Sequence, residues 1–279
     1  MHVSSDQFDL VIEAGHTERQ YWRDLWRYRE LMLFLAWRDV LVRYKQTFIG
    51  VAWAVLRPLL TMIVFTIVFG KLAKLPSPSG APYPILVFAA MLPWQFFANA
   101  LAACGDSVVG NANLISKVYF PRIVTPISSV AVSFVDFLIS GSILIVLMIW
   151  YSYWPTWRIV ALPVFTATAF MAALGAGLWL SALTVKFRDF KYVTPFLVQF
   201  GLYVSPVGFS SHIIPERWRL LYSINPMVGV IDGFRWAILG EEAGINWLGM
   251  LVSLLLVAVV FFSGLRYFRK TERTFADVI

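Results

Sequence analysis

Long apolar runs alternate with short charged segments along this chain, and this alternation restricts its fold more than any other feature of the sequence. A transmembrane helix needs about 20 mainly apolar residues. Because lipid offers no hydrogen-bond partners, a chain crosses it only as helices or as a closed barrel. Runs of helical length lie at about 48–69, 83–103, 123–150, 158–184, 192–207 and 247–265. The sequence therefore predicts an all-α, polytopic membrane protein with six transmembrane helices.

The composition excludes an ordinary soluble protein. Hydrophobic residues make up 59% of the 279 residues, and charged residues only 14%. Soluble domains carry about 45–50% apolar and about 25% charged residues. The net charge of +7 would suggest nucleic acid only if the basic residues formed a patch facing water. They lie instead at the ends of apolar runs, which indicates membrane topology and predicts no nucleic-acid partner.

The distribution of basic residues predicts the orientation, since Lys and Arg accumulate in short cytoplasmic loops. They are concentrated before the first apolar run, around Lys117 and Arg122, in 186–191 and at the C-terminus, and they are sparse in the other connections. With six spans, both termini are then cytoplasmic. The predicted division is a cytoplasmic arm with an interfacial amphipathic helix (1–47), a six-span transmembrane domain (48–265) and a cytoplasmic basic tail (266–279).

Two regions outside the regular spans have distinct patterns. A helix is predicted from Thr17, with Trp22 and Trp26 on one face and arginines on the other, which is typical of a helix that lies in the membrane interface. Residues 209–246 combine prolines and glycines with aromatic side chains, so they are too broken for a plain span. Such backbone at membrane depth must be buried in protein or line a cavity. We interpret it as a re-entrant pair of short helices on the outer side.

A short charged elbow joins the fourth and fifth apolar runs. It consists of Lys186, Phe187, Arg188, Asp189, Phe190 and Lys191. Its excess of cations is typical of a cytoplasmic loop that anchors topology. The elbow is too short to hold a soluble domain, so it can alternatively serve as a contact surface that receives force from a partner.

Ionisable residues within apolar runs usually mark a pathway or form a pair inside the bundle. Arg57 and Asp136 are the residues of this kind, and Trp53 shares a helix face with Arg57. These side chains either line a polar conduit or have a structural role as a pair or a snorkelling residue.

Phe196, Phe200 and Tyr203 recur at helical spacing and form one aromatic stripe on the fifth run. Such a stripe is commonly a packing surface within a helical bundle. Aromatic faces also stack against sugar rings, so the alternative is the wall of a polysaccharide channel.

Nucleotide, metal and catalytic motifs are missing from the sequence. It has no G-x-x-x-x-G-K-[ST] motif, so the chain is not expected to bind nucleotide phosphates on a P-loop. Its three His residues are scattered and do not form a metal-ligand spacing. We therefore expect no catalytic residue, no metal site and no cofactor in this chain.

Several motifs, taken together and in order, resemble a known family. They are R-Y-K-Q-T-F-I-G-V-A-W-A-V-L-R-P-L-L at Arg43–Leu60, L-P-W-Q-F-F at Leu92–Phe97, N-A-N-L-I-S-K-V-Y-F-P-R at Asn111–Arg122, K-F-R-D-F-K at Lys186–Lys191, S-P-V-G-F-S at Ser205–Ser210 and I-N-P-M at Ile224–Met227. The chain thereby resembles the membrane permease subunits of ABC-2 type transporters, in particular those that export O-antigen, capsule or teichoic-acid polysaccharides.

The resemblance implies an assembly in the inner (cytoplasmic) membrane of two copies of this chain with two ATP-binding cassette subunits, which bind ATP and Mg. The elbow would match the coupling helix of the family, and residues 111–117 its cytoplasmic gating helix. Residues 212–239 would match its re-entrant outer gate helices, and the aromatic side chains its carbohydrate channel. Lys117 and Arg122, with Arg57 deeper on the first span, are candidates for the phosphate head group of a lipid-linked polysaccharide, because arginine grips phosphate with paired hydrogen bonds. For Lys117 and Arg122, membrane topology is the alternative explanation.

The sequence is also compatible with two other functions. An exporter of drugs or small lipids would have the same fold. A membrane glycan-modifying enzyme would need a catalytic carboxylate, for which Asp136 is the intramembrane candidate.

Overall fold

The computed structural model describes residues 18–45, 48–77, 80–240 and 245–275. These residues form helices and connections without a β-strand, which confirms the all-α prediction. The α-helices are α1 (Glu18–Arg27), α2 (Arg29–Tyr44), α3 (Phe48–Phe65), α4 (Tyr83–Gly110), α5 (Ala112–Ile115), α6 (Val124–Trp150), α7 (Leu162–Lys186), α8 (Phe190–Val204), α9 (Glu216–Tyr222), α10 (Pro226–Leu239) and α11 (Trp247–Thr271). A π-helical segment (Thr66–Leu72) continues α3, and 3₁₀ turns occur at Trp157–Ala161, Ser211–Ile213 and Glu272–Thr274.

Five segments of the described chain are long and apolar enough to cross a membrane, so the protein is a multi-pass membrane protein. They are Val55–Leu72, Tyr83–Gly110, Val124–Trp150, Trp157–Lys186 and Trp247–Thr274. The remaining predicted span corresponds to α8, which has 15 residues. At about 1.5 Å per residue it is about 22 Å long, less than the hydrocarbon core of about 30 Å. The count of six spans therefore stays a prediction.

Helix α8 ends earlier than the apolar run that contains it. Ser205 adopts extended backbone (φ −86°, ψ 150°) directly before Pro206. A residue that precedes proline is disfavoured in the helical region, because the proline ring collides with its backbone. Two short helices, α9 and α10, follow, as the pattern of prolines and glycines predicted; their re-entrant placement stays a prediction.

Helix α4 lies at the centre of the bundle. It packs against α3, α6, α7, α8 and α10, and 78% of its apolar window is buried. Only 11% of the window on α3 is buried, and the side chains of α8 are mostly exposed. A helix that is apolar all round belongs in a core, whereas α3 and α8 leave wide faces uncovered by this chain.

Glycines allow α7 and α11 to approach each other closely. A Cβ on Gly264 would lie 2.2 Å from the carbonyl oxygen of Gly175, and one on Gly175 would lie 2.5 Å from the Cα of Phe261. Beside this contact, the indole Nε1 of Trp179 donates to the hydroxyl of Ser263 over 3.1 Å. Small residues commonly permit such close packing between membrane helices.

We expect Gly264→Val to destabilise the fold, because the new side chain forces α7 and α11 apart. Overpacking of this kind typically costs about 1–3 kcal/mol, and here the obstacle is backbone, which cannot rotate away. Gly141→Val in α6 is the matched control, since a Cβ there meets no atom within 4 Å. The measurement is the thermal unfolding midpoint of the purified protein in detergent. Equal midpoints for the two variants would contradict the prediction.

Candidate functional site

The elbow contains a turn of three residues that connects α7 to α8. Helix α7 ends at Lys186 and α8 begins at Phe190, so Phe187, Arg188 and Asp189 connect them. All three are exposed, as is Lys186, whose ammonium lies 5.2 Å from the ring centroid of Phe187. Among the described residues, no ion pair links Arg188 and Asp189 to each other or to another side chain of the chain. The elbow therefore presents its charges and an aromatic ring to its surroundings.

The aromatic stripe on α8 does not pack into the core of this chain. Phe196, Phe200 and Tyr203 are 65%, 58% and 64% exposed. The rings of Phe196 and Phe200 stack with centroids 6.1 Å apart and planes 14° apart. The stripe thus presents exposed aromatic rings on α8, and flat rings are what stacking against sugars requires.

The predicted head-group residues lie on three separate segments. Arg57 is exposed on α3, and Lys117 is exposed on the turn after α5. Arg122, just before α6, is half-buried, and its Nη1 donates to the backbone carbonyl of Glu272. The structure does not bring these three together through direct contacts, and it gives Arg122 a second, structural role. The side chain of Trp53 lies outside the described residues.

Comparison with known proteins identifies the family. The sequence profile of the ABC-2 type transporter family matches residues 30–239, which is most of the chain. The chain belongs to the ABC-2 type transporter family. Permeases of this family work with ATP-binding subunits.

Curated relatives match the permease over most of their length. It is 30% identical to the O-antigen export system permease protein RfbA of Myxococcus xanthus, over 76% of this chain and 82% of that protein. A protein of the same name from Klebsiella pneumoniae is 25% identical over 90% of this chain and 95% of its own length. The polysialic acid transport protein KpsM of Escherichia coli is 24% identical, over 86% and 92%.

An ion pair between α2 and α6 was missed by sequence reasoning. Arg43 and Tyr44, at the end of α2, both donate to the carboxylate of Asp136. The side chain of Asp136 is 19% exposed. The sequence suggested an intramembrane pair but not its partner. The partner was not predicted because Arg43 lies before the first span and Asp136 inside the third, 93 residues further along the chain.

Asp136→Asn should leave transport by the permease intact, because the amide still accepts from Tyr44 and only the ion pair is lost. Since Arg43 is 44% exposed, we expect a cost of about 1 kcal/mol in unfolding free energy. Arg43→Gln is the matched control and should cost the same, with little further loss in the double variant. Transport and thermal unfolding are measured for each. An activity that needs no ATPase partner and is abolished in a folded Asp136→Asn protein would favour the enzymatic alternative.

A second cluster joins the two ends of the described chain. The hydroxyl of Tyr21 on α1 donates to Oε2 of Glu272 over 3.1 Å, across 251 residues of sequence. The guanidinium of Arg269 lies 4.4 Å from the ring centroid of Tyr21. Burial, with the nearby carboxylate, raises the pKa of Tyr21 above its ordinary value, so its hydroxyl remains a donor. The cluster attaches α1 to the end of α11 and, through Arg122, to the start of α6.

Proposed function

We propose that this permease is the membrane-spanning subunit of an exporter that moves a lipid-linked polysaccharide of O-antigen, capsule or teichoic-acid type across the inner (cytoplasmic) membrane. The observation that carries the proposal is the near full-length similarity to permeases named for O-antigen export and polysialic acid transport. The exposed aromatic stripe supports it, because a polymer must be held at many weak sites if it is to slide.

Two copies of the chain form the proposed conduit. The faces of α3 and α8 that this chain leaves uncovered include Arg57 and the aromatic stripe. A charged side chain that faced lipid near mid-bilayer would cost on the order of 3 kcal/mol, so Arg57 is better placed facing water or protein. A second copy opposite these faces would enclose a polar path lined with aromatic rings.

Two separate ATPase subunits drive this dimer from the cytoplasmic side, where both termini lie. They bind the ATP and Mg, and the elbow from Lys186 to Lys191 is the contact surface on each permease. Its exposed charges and the ring of Phe187 fit a cleft in a folded partner. Lys117 and Arg122 on the same side, with Arg57 deeper, receive the phosphate head group of the substrate lipid.

The test is to express the permease with its ATPase, purify the complex and reconstitute it in liposomes. ATP hydrolysis should rise with lipid-linked polysaccharide and not with amphipathic drugs or short-chain lipids, and mass spectrometry of the co-purified glycan gives the sugar. Stimulation by drugs or small lipids alone would replace the proposal with the alternative exporter. Glycan modification by the permease without an ATPase would replace both.

A further inference from the structure

A buried arginine lies where the backbone after α8 is not helical. Arg235 on α10 is only 3% exposed, within the apolar part of the bundle. Its Nη1 donates to the carbonyl of Phe209 over 2.6 Å, its Nη2 to that of Val207 over 3.0 Å, and its Nε to that of Leu86 on α4 over 3.3 Å. One guanidinium thus holds the segment Ser205–Ser210, α10 and α4 together.

Two further hydrogen bonds fasten the same segment. The hydroxyl of Tyr83, the first residue of α4, donates to the carbonyl of Gly208 over 2.8 Å. The side-chain amide of Asn225 donates to the hydroxyl of Ser205 over 2.9 Å, while its oxygen caps α10 by accepting from the backbone N–H of Met227. The residue that caps α10 is therefore bonded to the residue that follows α8, and its backbone N–H donates to the carbonyl of Tyr222, the last residue of α9, over 3.1 Å.

Backbone that is not helical must find partners within the protein at membrane depth. Ser205 and Val207 are completely buried, so water cannot form hydrogen bonds to the backbone carbonyl groups at this point of the segment. Arg235 can serve several at once, because a guanidinium carries five N–H donors in a rigid, planar arrangement. A positive charge in such a place is costly unless its donors are paired, and here they bind three carbonyl groups of the protein.

From these contacts we propose that Arg235 is a positioning residue that makes the outer ends of α8 and α4 and the helices α9 and α10 move as one body. Helix α8 begins at the exposed elbow, and its other end is the segment that Arg235 holds. Displacement of the elbow would then travel along α8 and reach the outer helices through hydrogen bonds instead of being absorbed by the turn at Ser205. This inference rests on the proposed role of the elbow as the ATPase contact.

The experiment measures distances within one chain of the complete complex. Spin labels are attached at Val204, the last residue of α8, and at Leu221 on α9, which is 57% exposed. The background carries Cys104→Ala, and labelled permease is diluted with unlabelled permease so that only distances within one chain are seen. In the parent protein, we expect the same distance distribution without nucleotide and in the ATP–vanadate trapped state.

Arg235→Gln should change this result, because the shorter amide cannot donate to all three carbonyls. The distribution should broaden or shift between the two states, and export per ATP hydrolysed should fall by about fivefold or more. Arg235→Lys should recover part of both. Arg217→Gln is the matched control, because Arg217 is an exposed cation on the neighbouring helix α9, and this variant should behave as the parent does.

A folded Arg235→Gln complex whose distances match the parent in both states would overturn the proposal, even if its stability were lower. So would a parent distance that itself changes on trapping ATP. If Arg235→Gln does not assemble, Arg235→Lys and Tyr83→Phe decide by the same distances, since each weakens the segment with less loss of volume. The distance measurements require ATP but no polysaccharide. Failure of the proposed function would appear separately, as a parent complex that polysaccharide does not stimulate.

Discussion

Arg188→Glu is expected to abolish export and to release the ATPase, while the permease remains folded in the membrane. Arg188 is exposed in the elbow, and no ion pair within the described chain engages it. A fold that does not use the side chain loses nothing when its charge is reversed. An interface that does use it loses an attraction and gains a repulsion, and removing one member of a close interfacial pair commonly costs about 2–5 kcal/mol.

Co-purification of the ATPase and export in reconstituted liposomes measure this effect. Lys71→Glu is the control, since it reverses an exposed charge at the opposite end of the bundle, and it should retain the ATPase. Asp189→Arg, made separately, should also weaken association, because it changes the other charge of the turn. Normal export by both elbow variants would refute the assignment of this surface to the ATPase.

Phe200→Ala and Phe200→Leu are both expected to shorten the exported polysaccharide without unfolding the protein. Phe200 is 58% exposed and stacks on Phe196, so its removal opens no cavity in the core. Either change removes a flat face on which a sugar ring can stack. Export of long chains should therefore decrease more than export of short ones, because a longer chain depends on more successive contacts.

The control for these variants is a phenylalanine of the true core. Phe96 is 1% exposed and contacts the rings of Phe134, Phe137 and Phe170, so Phe96→Ala should destabilise the fold by about 3–5 kcal/mol. Thermal unfolding and the length distribution of surface polysaccharide are measured together. If Phe200→Leu unfolds the protein as Phe96→Ala does, the stripe is a packing surface. An unchanged length distribution would remove it from the conduit.

The sequence by itself determined the features that depend on local composition. Helices cross lipid wherever about 20 apolar residues are contiguous, so five of the six predicted spans coincide with long helices, and the elbow occurs at its predicted residues. Helix α1 was predicted from the periodicity of its aromatic and basic residues. The pair α9 and α10 was predicted from the prolines and glycines of its segment. The ordered motifs from Arg43 to Met227 were sufficient to indicate the ABC-2 type transporter family.

Tertiary structure alone decided which side chains meet. Arg43 donates to Asp136 on another helix, and Tyr21 donates to Glu272 across 251 residues of sequence. Arg235 donates to the backbone carbonyl groups of Leu86 and Phe209, which lie on different segments. Nothing in the pattern of a helix predicts such partners, because the pattern shows which face is polar but not which other helix covers it. The sequence could not predict that the stripe on α8 is exposed, since an aromatic face can pack in a core, contact a partner or line a channel. That choice depends on which helices surround α4, a property of the whole bundle and not of any one segment.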